Sequence, residues 1–308
     1  MGIKRSLRER GFLESIRYAI LKFLKLEHHQ EETDSLYYFL NQYTDITALP
    51  PTNDSDLRIM QKCDAEFLSL FDKFCKMHDL RYWLDFGTLL GAVRHEGFIP
   101  WDDDTDVAML RGDFNRLLDC KEELNKMGVE LTVKHGGWIG LGYKHEQTGI
   151  WIDVFPKDLY YSNDDAPLVI QTVKNKLYRY RKKFGLKNIT SQYEILKKQI
   201  DSIFGNKTDG AKAIVYQGLT IYNSVRANCY EDIFPLQKIE FEGKELYVPR
   251  NLNNYLHEIY GQDYMSFPRR GILYHDGGRG ALSTWAKRNG TDMNSIMQEL
   301  KSLQERFD

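Results

Sequence analysis

The chain has 308 residues, of which 42% are hydrophobic and 28% are charged. This composition excludes an intrinsically disordered protein, and the length allows one sizeable core in one or two domains. The formal net charge of −2 gives the chain no general attraction to nucleic acid, so no nucleic-acid partner is expected. The four cysteines form no C-x-x-C pair, and their spacing predicts free thiols in a reducing cytosol.

The first segment, residues 3–26, has apolar side chains at helical spacing and more basic than acidic residues. Its charges interrupt the apolar stretch, so it is not predicted to span a bilayer. Two interpretations stay open: peripheral contact with an anionic membrane, or packing as an ordinary helix. The first places a cytoplasmic protein on the inner face of the plasma membrane. A polar, proline-containing connector follows, so residues 1–55 are predicted as a basic helix and connector.

From residue 56 onward, helical and strand patterns alternate. The predicted helices are Asp56 to His78, Thr88–Val93, Phe114–Met127, a basic middle region over residues 165–230, Asn251–Tyr260 and Met293–Arg306. The predicted strands are Arg81–Phe86, Val107–Leu110, Leu131–Val133, Ile139–Lys144 and Ile150–Phe155, which should stop at Pro156, and a hairpin over Phe241–Val248. Asp54, Ser55 or Asp56 could cap the first of these helices. The pattern predicts an α+β fold with a mixed sheet.

An acidic cluster, Trp101-Asp102-Asp103-Asp104-Thr105-Asp106, stands immediately before the strand at Val107. Residues at i and i+2 of a strand point to one face, so the carboxylates of Asp104 and Asp106 should converge. A divalent cation would relieve their repulsion, and oxygen ligands favour Mg²⁺ or Mn²⁺. Asp102 is a plausible neighbour in this metal site, whereas Asp103 is expected to face solvent.

A third acid, Asp153, stands alone inside the apolar strand Ile150–Phe155. A carboxylate in such surroundings is costly unless it has a partner. Pairing of this strand with Val107–Leu110 would bring Asp153 to the metal pair, which is a layout used in metal-assisted phosphoryl transfer.

Gly87-Thr88 at the junction of a strand and a helix predicts an anion site formed by backbone N–H groups and a hydroxyl. Arg94, two helical turns further on, and Lys144, on the strand before Asp153, could meet donor phosphate. His275 lies in the glycine-rich loop 271–280, which is either a ligand-binding loop or a flexible surface loop. His95 could bind phosphate or stabilise its turn.

The order strand, Gly-Thr, helix, D-x-D on a strand and a later lone Asp resembles the polymerase-beta-type nucleotidyltransferase superfamily. The stretch from Leu84 to Asp106, LDFGTLLGAVRHEGFIPWDDDTD, resembles the LicD/fukutin family more closely. Ile152-Asp153-Val154-Phe155-Pro156 fits its later strand, and shorter matches follow in order, so that the resemblance covers roughly residues 56–275. Residues 56–308 are therefore expected to form a LicD-like catalytic domain, with helical additions in its middle and C-terminal parts.

The resemblance implies transfer of a phosphoalcohol from a CDP-activated donor to a sugar hydroxyl, with release of CMP. CDP-choline is the expected donor, with CDP-ribitol or CDP-glycerol as alternatives. The acceptor would be a cell-surface glycan or glycolipid, such as a lipopolysaccharide, teichoic acid or capsule precursor. It also implies that Asp104 and Asp106 bind metal with Asp102 close by, that Asp153 is the third acid and takes the hydroxyl proton while contacting a metal, and that Arg94 meets donor phosphate. The zinc-binding cysteines of animal relatives have no counterpart here.

Other interpretations of the acids are weaker. Asp102, Asp104 and Asp106 also begin a calcium-loop pattern, but Val107 and Asp113 stand where that loop needs Gly and Glu. D-x-D also occurs in nucleotide-sugar glycosyltransferases, although Gly87-Thr88 and Asp153 favour phosphotransfer. A pseudoenzyme that binds nucleotide or glycan without turnover is the non-enzyme alternative. The basic run within residues 174–187 is either a solvated helix face or a surface for an anionic acceptor.

Overall fold

The computed structural model describes residues 35–134, 137–144, 148–162, 212–217, 226–267 and 281–307, together with residues 168, 171 and 175. The predicted helix at residues 3–26, nearly all of the basic run 174–187, and the loop 271–280 with His275 lie outside these residues. The chain divides into two compact units, Met1–Ala48 with Met265–Leu273, and Leu49–Tyr264 with Tyr274–Asp308.

The first unit is described over a small part of its length. Residues 35–43 are helical, and a 3₁₀ turn follows at Ile46–Ala48. The side chain of Asn41 accepts a hydrogen bond from the backbone N–H of Phe267 at 2.9 Å, which joins the two segments of this unit. Within the described ranges of the whole chain, the structure contains no helix both long and apolar enough to cross a membrane.

The second unit is built on a mixed sheet, as predicted for an α+β fold. Its described strands are β1 (Trp83–Leu84), β2 (Thr105–Leu110), β3 (Val129–Val133), β4 (Ile139–Tyr143), β5 (Trp151–Ser162), β6 (Lys212–Gln217) and β7 (Arg226–Cys229). The order is β1-β2-β5-β4-β3, with β6 on the far part of β5 and β7 beside β6. β2 and β5 are parallel, and the other pairs are antiparallel.

Helices and one hairpin complete this unit. They are α1 (Ser55–Met77), α2 (Phe86–His95), α3 (Arg111–Asp119), α4 (Lys121–Lys126), α5 (Tyr230–Ile233), the hairpin strands β8 (Gln237–Phe241) and β9 (Lys244–Val248), α6 (Leu252–Tyr260), α7 (Ala281–Arg288) and α8 (Met293–Gln304), which ends in a 3₁₀ turn at Glu305–Phe307. Asp54 caps α1 by accepting the N–H groups of Asp56 and Leu57, which confirms one of the predicted caps.

The main core lies between α1 and the sheet. The apolar stripe of α1 buries Leu57, Met60, Phe67, Leu70, Phe71 and Phe74 against the inner face of the strands. Val107 on β2 and Val154 on β5 are fully buried and paired in register. Because burying one such side chain contributes about 1.5–3 kcal/mol, this face holds β2 and β5 together and leaves their opposite face for polar residues.

Three predictions about the elements are wrong. β5 continues to Ser162 instead of ending at Pro156. On one side of β5, β4 pairs only as far as Val154 and β6 starts pairing at Asp158, so Pro156 has no partner strand there, whereas on the other side it pairs with Met109 of β2. Within the predicted helical middle, residues 168, 171 and 175 are helical, but residues 212–217 and 226–229 form the strands β6 and β7. The predicted helix Phe114–Met127 is two helices that meet at Cys120.

The turn before the acidic cluster rests directly on α2. A Cβ built at Gly91, in the middle of α2, would lie 3.0 Å from the backbone nitrogen of Ile99 and closer still to the carbonyl oxygen of Gly97. Both neighbours are backbone atoms, so they cannot yield by a rotamer change. The lack of a side chain at Gly91 therefore fixes how near the turn at residues 97–99 approaches the helix.

We expect Gly91→Ala to destabilise the protein by about 1–3 kcal/mol, because a methyl group must push backbone away. Gly112→Ala on α3 is the matched control, since nothing lies within 4 Å of its Cβ position. That variant should be neutral or slightly stabilising, as expected for alanine in a helix. Urea unfolding curves of both variants measure this, and equal stabilities would contradict the close contact.

Candidate active site

The acidic cluster forms a compact turn that leads into β2. One carboxylate oxygen from each of Asp102, Asp103 and Asp104 lies within 4.8 Å of the others. The prediction that Asp103 faces solvent is wrong, because this residue is 6% exposed and joins its two neighbours. A turn, unlike a strand, does not alternate its side chains between two faces. Three successive carboxylates can therefore gather on one side.

β2 and β5 bring the remaining two acids together, as the predicted strand pairing requires. In their parallel register Asp106 lies directly beside Asp153. Burial raises the pKa of Asp106 well above its usual value, and the charges of Asp104, Asp153 and Asp102 raise it further. The four predicted metal residues, Asp102, Asp104, Asp106 and Asp153, thus share one electrostatic environment.

The chemistry of these groups fits a divalent cation. Burial raises the pKa of Asp102, and so do the charges of Asp104 and Asp103. Such a carboxylate cluster is held at a cost unless positive charge compensates it. Hard carboxylate oxygens match Mg²⁺ or Mn²⁺, which would polarise a phosphoryl group and neutralise charge during transfer. Asp102, Asp104, Asp106 and Asp153 are the residues that would hold it.

Helix α1 supports the turn with two buried polar residues that the sequence analysis did not single out. Gln61 donates hydrogen bonds from its amide nitrogen to the carbonyl oxygens of Asp102 at 2.9 Å and Ile99 at 3.4 Å. Asp64 accepts the backbone N–H of Trp151 at 3.2 Å, which ties α1 to the start of β5. The sequence does contain a signal for both residues, because a glutamine and an aspartate stand on the otherwise apolar, core-facing stripe of this helix.

Asp64 adds a further carboxylate next to the cluster. Burial raises its pKa well above the usual value, and the charges of Asp104 and Asp103 add to this. Its Oδ2 atom has no hydrogen-bond partner among the described residues. Asp64 therefore lies behind the acidic turn and increases the excess of negative charge there.

The start of α2 supplies the predicted Gly-Thr turn, although the helix begins at Phe86, two residues earlier than predicted. A Cβ at Gly87 would lie 2.6 Å from Oδ2 of Asp102, so the Asp102 carboxylate rests on the bare Cα of this glycine. The hydroxyl oxygen of Thr88 accepts the backbone N–H of Asp106 at 2.8 Å and is buried. Both residues thus hold acids in place. The predicted phosphate contact of Gly87-Thr88 remains a proposal.

Asp85 caps α2 without using its carboxylate for the helix. One oxygen accepts the hydroxyl of Tyr255 at 2.9 Å, and the other lies 2.6 Å from the ammonium of Lys157. The side chains of Asp85 and Lys157 are 0% and 6% exposed, so this is a buried ion pair. Burial lowers the pKa of Lys157, whereas the charge of Asp85 opposes that change. This pair anchors the first turn of α2 to β5.

Arg94 lies at the other end of α2 and is 6% exposed. One terminal nitrogen donates to the carbonyl oxygen of Tyr264 at 3.1 Å, and Nε has no partner among the described residues. Burial lowers its pKa to about 10, and nearby Tyr260 and Asp102 oppose this change. Arg94 stays protonated near neutral pH, on the Asp102 side of the acids, where it could contact donor phosphate.

Tyr260 and Arg226 also reach the site from distant parts of the chain. Tyr260 is 42% exposed, yet burial of its hydroxyl and the charges of Asp106 and Asp102 raise its pKa. The Tyr260 hydroxyl is therefore close enough to both acids to be affected by their charge. Arg226 lowers that pKa, and its guanidinium lies 4.9 Å from the ring centroid of Phe86. No local motif marks either residue, because each depends on long-range packing.

The structure does not bring Lys144 to the acids. Its ammonium pairs with Glu299 on α8. On β4 it is Gly140 that stands opposite Asp153, and Lys144 is four residues further on. At about 3.3 Å per residue, that is about 13 Å along the strand.

The nucleotidyltransferase domain described as LicD/FKTN/FKRP matches residues 79–190. The match spans β1 to β5 and includes Asp102, Asp104, Asp106 and Asp153. Over these residues the chain resembles the LicD-family nucleotidyltransferase domain. The resemblance seen in the motif from Leu84 to Asp106 is thereby confirmed, and the protein is a phosphotransferase.

Individual relatives agree with this family. The lipopolysaccharide cholinephosphotransferase LicD of Haemophilus influenzae is 27% identical over 250 residues, which cover 69% of this chain and 92% of that protein. An uncharacterized protein of Rickettsia typhi is 28% identical over 134 residues, which cover 38% of this chain and 43% of that protein. The ribitol 5-phosphate transferase FKRP of Homo sapiens is 57% identical over 30 residues, 10% of this chain and 6% of FKRP.

Gly87→Ala should weaken binding of Mn²⁺ by about tenfold while leaving the fold intact, because the new methyl group displaces the Asp102 carboxylate. The carboxylate can rotate away, so the free energy of unfolding should change by less than about 1 kcal/mol. Calorimetric titration with Mn²⁺ measures the affinity, with Gly112→Ala as control. Unchanged Mn²⁺ affinity in Gly87→Ala would remove Asp102 from the site.

His95 predicts a pH dependence of stability. Burial, with a smaller contribution from the charge of Arg94, lowers its pKa to about 4, and neither ring nitrogen has a partner among the described residues. The unfolded chain binds a proton near pH 6.5, whereas the folded chain does so only near pH 4. The free energy of unfolding should therefore fall as pH decreases from 6.5 to 4.

His95→Gln should reduce this fall by roughly 1–2 kcal/mol between pH 7 and 4.5, after allowance for solvent screening. Urea unfolding at both pH values measures the difference, and the proton NMR signal of the ring gives the pKa directly. Titration of His95 near pH 6.5 would contradict the burial of its ring and would reopen its role as a phosphate ligand.

Proposed function

We propose that the protein transfers a phosphoalcohol, most simply phosphocholine from CDP-choline, to a sugar hydroxyl of a cell-surface glycan precursor. The observation that carries this proposal is the register of β2 and β5, which sets Asp106 beside Asp153 with Asp102 and Asp104 at the adjoining turn. The match of residues 79–190 to the LicD/FKTN/FKRP domain and the match to LicD of Haemophilus influenzae support the reaction class and the donor.

In the proposed reaction the acceptor hydroxyl oxygen attacks the phosphorus that carries the alcohol. The new bond joins this oxygen to phosphorus, the bond to the CMP phosphate breaks, and CMP leaves with the electron pair. Asp153 takes the hydroxyl proton, because its carboxylate lies on the open face of the sheet beside Asp106. Asp102, Asp104 and Asp106 would hold Mg²⁺ or Mn²⁺, which neutralises phosphate charge.

Positive and hydrogen-bonding groups near the acids fit a nucleoside diphosphate. Arg226 supplies positive charge at the first turn of α2, Arg94 supplies it at the last turn, and Tyr260 offers a protonated hydroxyl. Arginine stabilises the charge that develops on a leaving phosphate. We assign the CMP leaving group to the side of the acids on which Arg94 lies. The charge of Asp102 raises the pKa of Arg94, which places the guanidinium near Asp102.

A second candidate is transfer of a phosphopolyol from CDP-ribitol or CDP-glycerol. The specific observation in its favour is the short, 57% identical match to the ribitol 5-phosphate transferase FKRP. The acid site would serve either donor, because the chemistry at phosphorus is the same. Cytoplasmic location with membrane contact through residues 3–26 remains part of the proposal as well.

Removal of the acids tests the mechanism. Asp106→Ala should lower CMP release by about a hundredfold or more, because it removes a metal ligand at the centre of the cluster. The melting temperature should stay the same or rise, since one of several repelling carboxylates is gone. Asp119→Ala, an exposed acid on α3, is the control and should keep wild-type turnover.

Asp153→Asn should lower kcat by about a hundredfold while changing the affinity for the donor much less, as expected for a proton acceptor. The donor is identified by a thermal-shift series of CDP-choline, CDP-glycerol, CDP-ribitol and UDP-sugars with Mg²⁺ or Mn²⁺, because a bound donor raises the melting temperature. A response to UDP-sugars alone, or full turnover of Asp106→Ala, would refute the proposed reaction.

A further inference from the structure

A lysine outside the predicted site reaches across the sheet to Asp153. Lys134 follows β3, and Gly140 on β4 stands opposite Asp153 in the register of β4 and β5. A Cβ built at Gly140 would lie 2.5 Å from Cε and 3.4 Å from Nζ of Lys134, and 3.5 Å from Oδ1 of Asp153. The ammonium of Lys134 and the carboxylate of Asp153 therefore both border the space above this glycine.

The surroundings hold the lysine in this path. Its backbone N–H donates to the carbonyl oxygen of Trp138 at 2.9 Å, which fixes the base of the side chain at the end of the β3–β4 hairpin. Its ammonium lies 5.3 Å from the ring centroid of Trp151, a typical cation–π distance. Trp151 and Asp153 project from the same face of β5, because they are two residues apart. The path across Gly140 thus ends on the acid-bearing face.

Lys134 supplies positive charge on a side of the acids that the arginines do not reach. The cations discussed above, Arg94 and Arg226, lie around α2, whereas Lys134 arrives over β4, from the opposite edge of the acid-bearing strands. A diphosphate donor that lies across the acids needs positive charge at both ends. An ammonium has three donors, so Lys134 can contact a carboxylate of Asp153 and a phosphate oxygen together.

We propose that Lys134 is a donor-binding residue whose ammonium contacts the phosphate that is transferred, on the Asp153 side of the acids. This proposal rests on the proposed function for the identity of the donor. In this proposal Lys134 makes the contact with donor phosphate that the sequence analysis suggested for Lys144. It also assigns a role to Gly140, whose missing side chain leaves the path open.

Substitution of the lysine is the direct test. Lys134→Met should raise KM for CDP-choline by about tenfold or more with a smaller change in kcat, since it removes a charged hydrogen bond to the donor. Lys134→Arg should restore a part of the affinity. Lys121→Met, an exposed lysine on α4, is the matched control. Wild-type KM in Lys134→Met would overturn the proposal, and so would a loss of kcat alone, which indicates only positioning of Asp153.

The glycine gives an independent test through the same path. Gly140→Ala should raise KM in the same direction, because its methyl group must displace the flexible stem of Lys134. In the Lys134→Met background it should have a much smaller further effect, since the two changes act on one interaction. Gly112→Ala controls for the glycine substitution. Additive effects of Lys134→Met and Gly140→Ala on KM would contradict the shared path.

A binding measurement separates this proposal from the proposed function. Calorimetric titration of CDP in the presence of Mn²⁺ should show weaker binding to Lys134→Met than to wild type by about tenfold. If the wild type releases CMP from no CDP-alcohol but CDP binding depends on Lys134, the proposed function fails and the phosphate contact stands. If CMP is released normally and both CDP binding and KM ignore Lys134, the contact fails and the function stands.

Discussion

The parallel pairing of β2 and β5 is the constraint on which the site depends, because it fixes Asp106 beside Asp153. Adjacent strands are about 4.8 Å apart, and two carboxylates at about 5 Å repel by roughly 3 kcal/mol at an effective dielectric constant of 20. The backbone register prevents the strands from sliding to relieve this repulsion. The buried pair Val107 and Val154, on the other face, holds the register through packing. The core therefore keeps an arrangement that the charges alone would separate.

Contacts from α1 and from the start of α2 hold the acidic turn in place. Gln61 donates a hydrogen bond to the carbonyl oxygen of Asp102, and the Thr88 hydroxyl accepts one from the N–H of Asp106. The Asp102 carboxylate packs against the Cα of Gly87, which carries no side chain. These contacts fix the main chain of the turn, so that its carboxylates stay grouped where a cation would bind. Such preorganisation suits phosphoryl transfer, in which the protein contributes mainly position and charge.

Local patterns predicted the parts of the fold and site that local physics determines. The apolar stripe of α1, the hairpin of β8 and β9, and the pairing that joins Asp106 to Asp153 all follow from periodicity and burial. Asp103 was misjudged because strand alternation was extended into a turn. The position of Lys144 on the strand before Asp153 suggested a phosphate contact, whereas nothing in the sequence marks Lys134. The approach of Lys134 depends on the empty space at Gly140, and sequence patterns do not reveal such space.

The acids and the cations of this site come from different parts of the chain, and this difference bears on which donor the site selects. Asp102 to Asp106 and Asp153 lie on neighbouring strands within the segment that matches the LicD family. Arg226 and Tyr260 lie beyond that segment and reach the acids only through tertiary packing. Every donor considered shares the same diphosphate, so the acids cannot distinguish choline from ribitol or glycerol. Discrimination must come from residues around the alcohol, on the Asp153 side of the transferred phosphorus, where Lys134 and Trp151 already occupy the sheet.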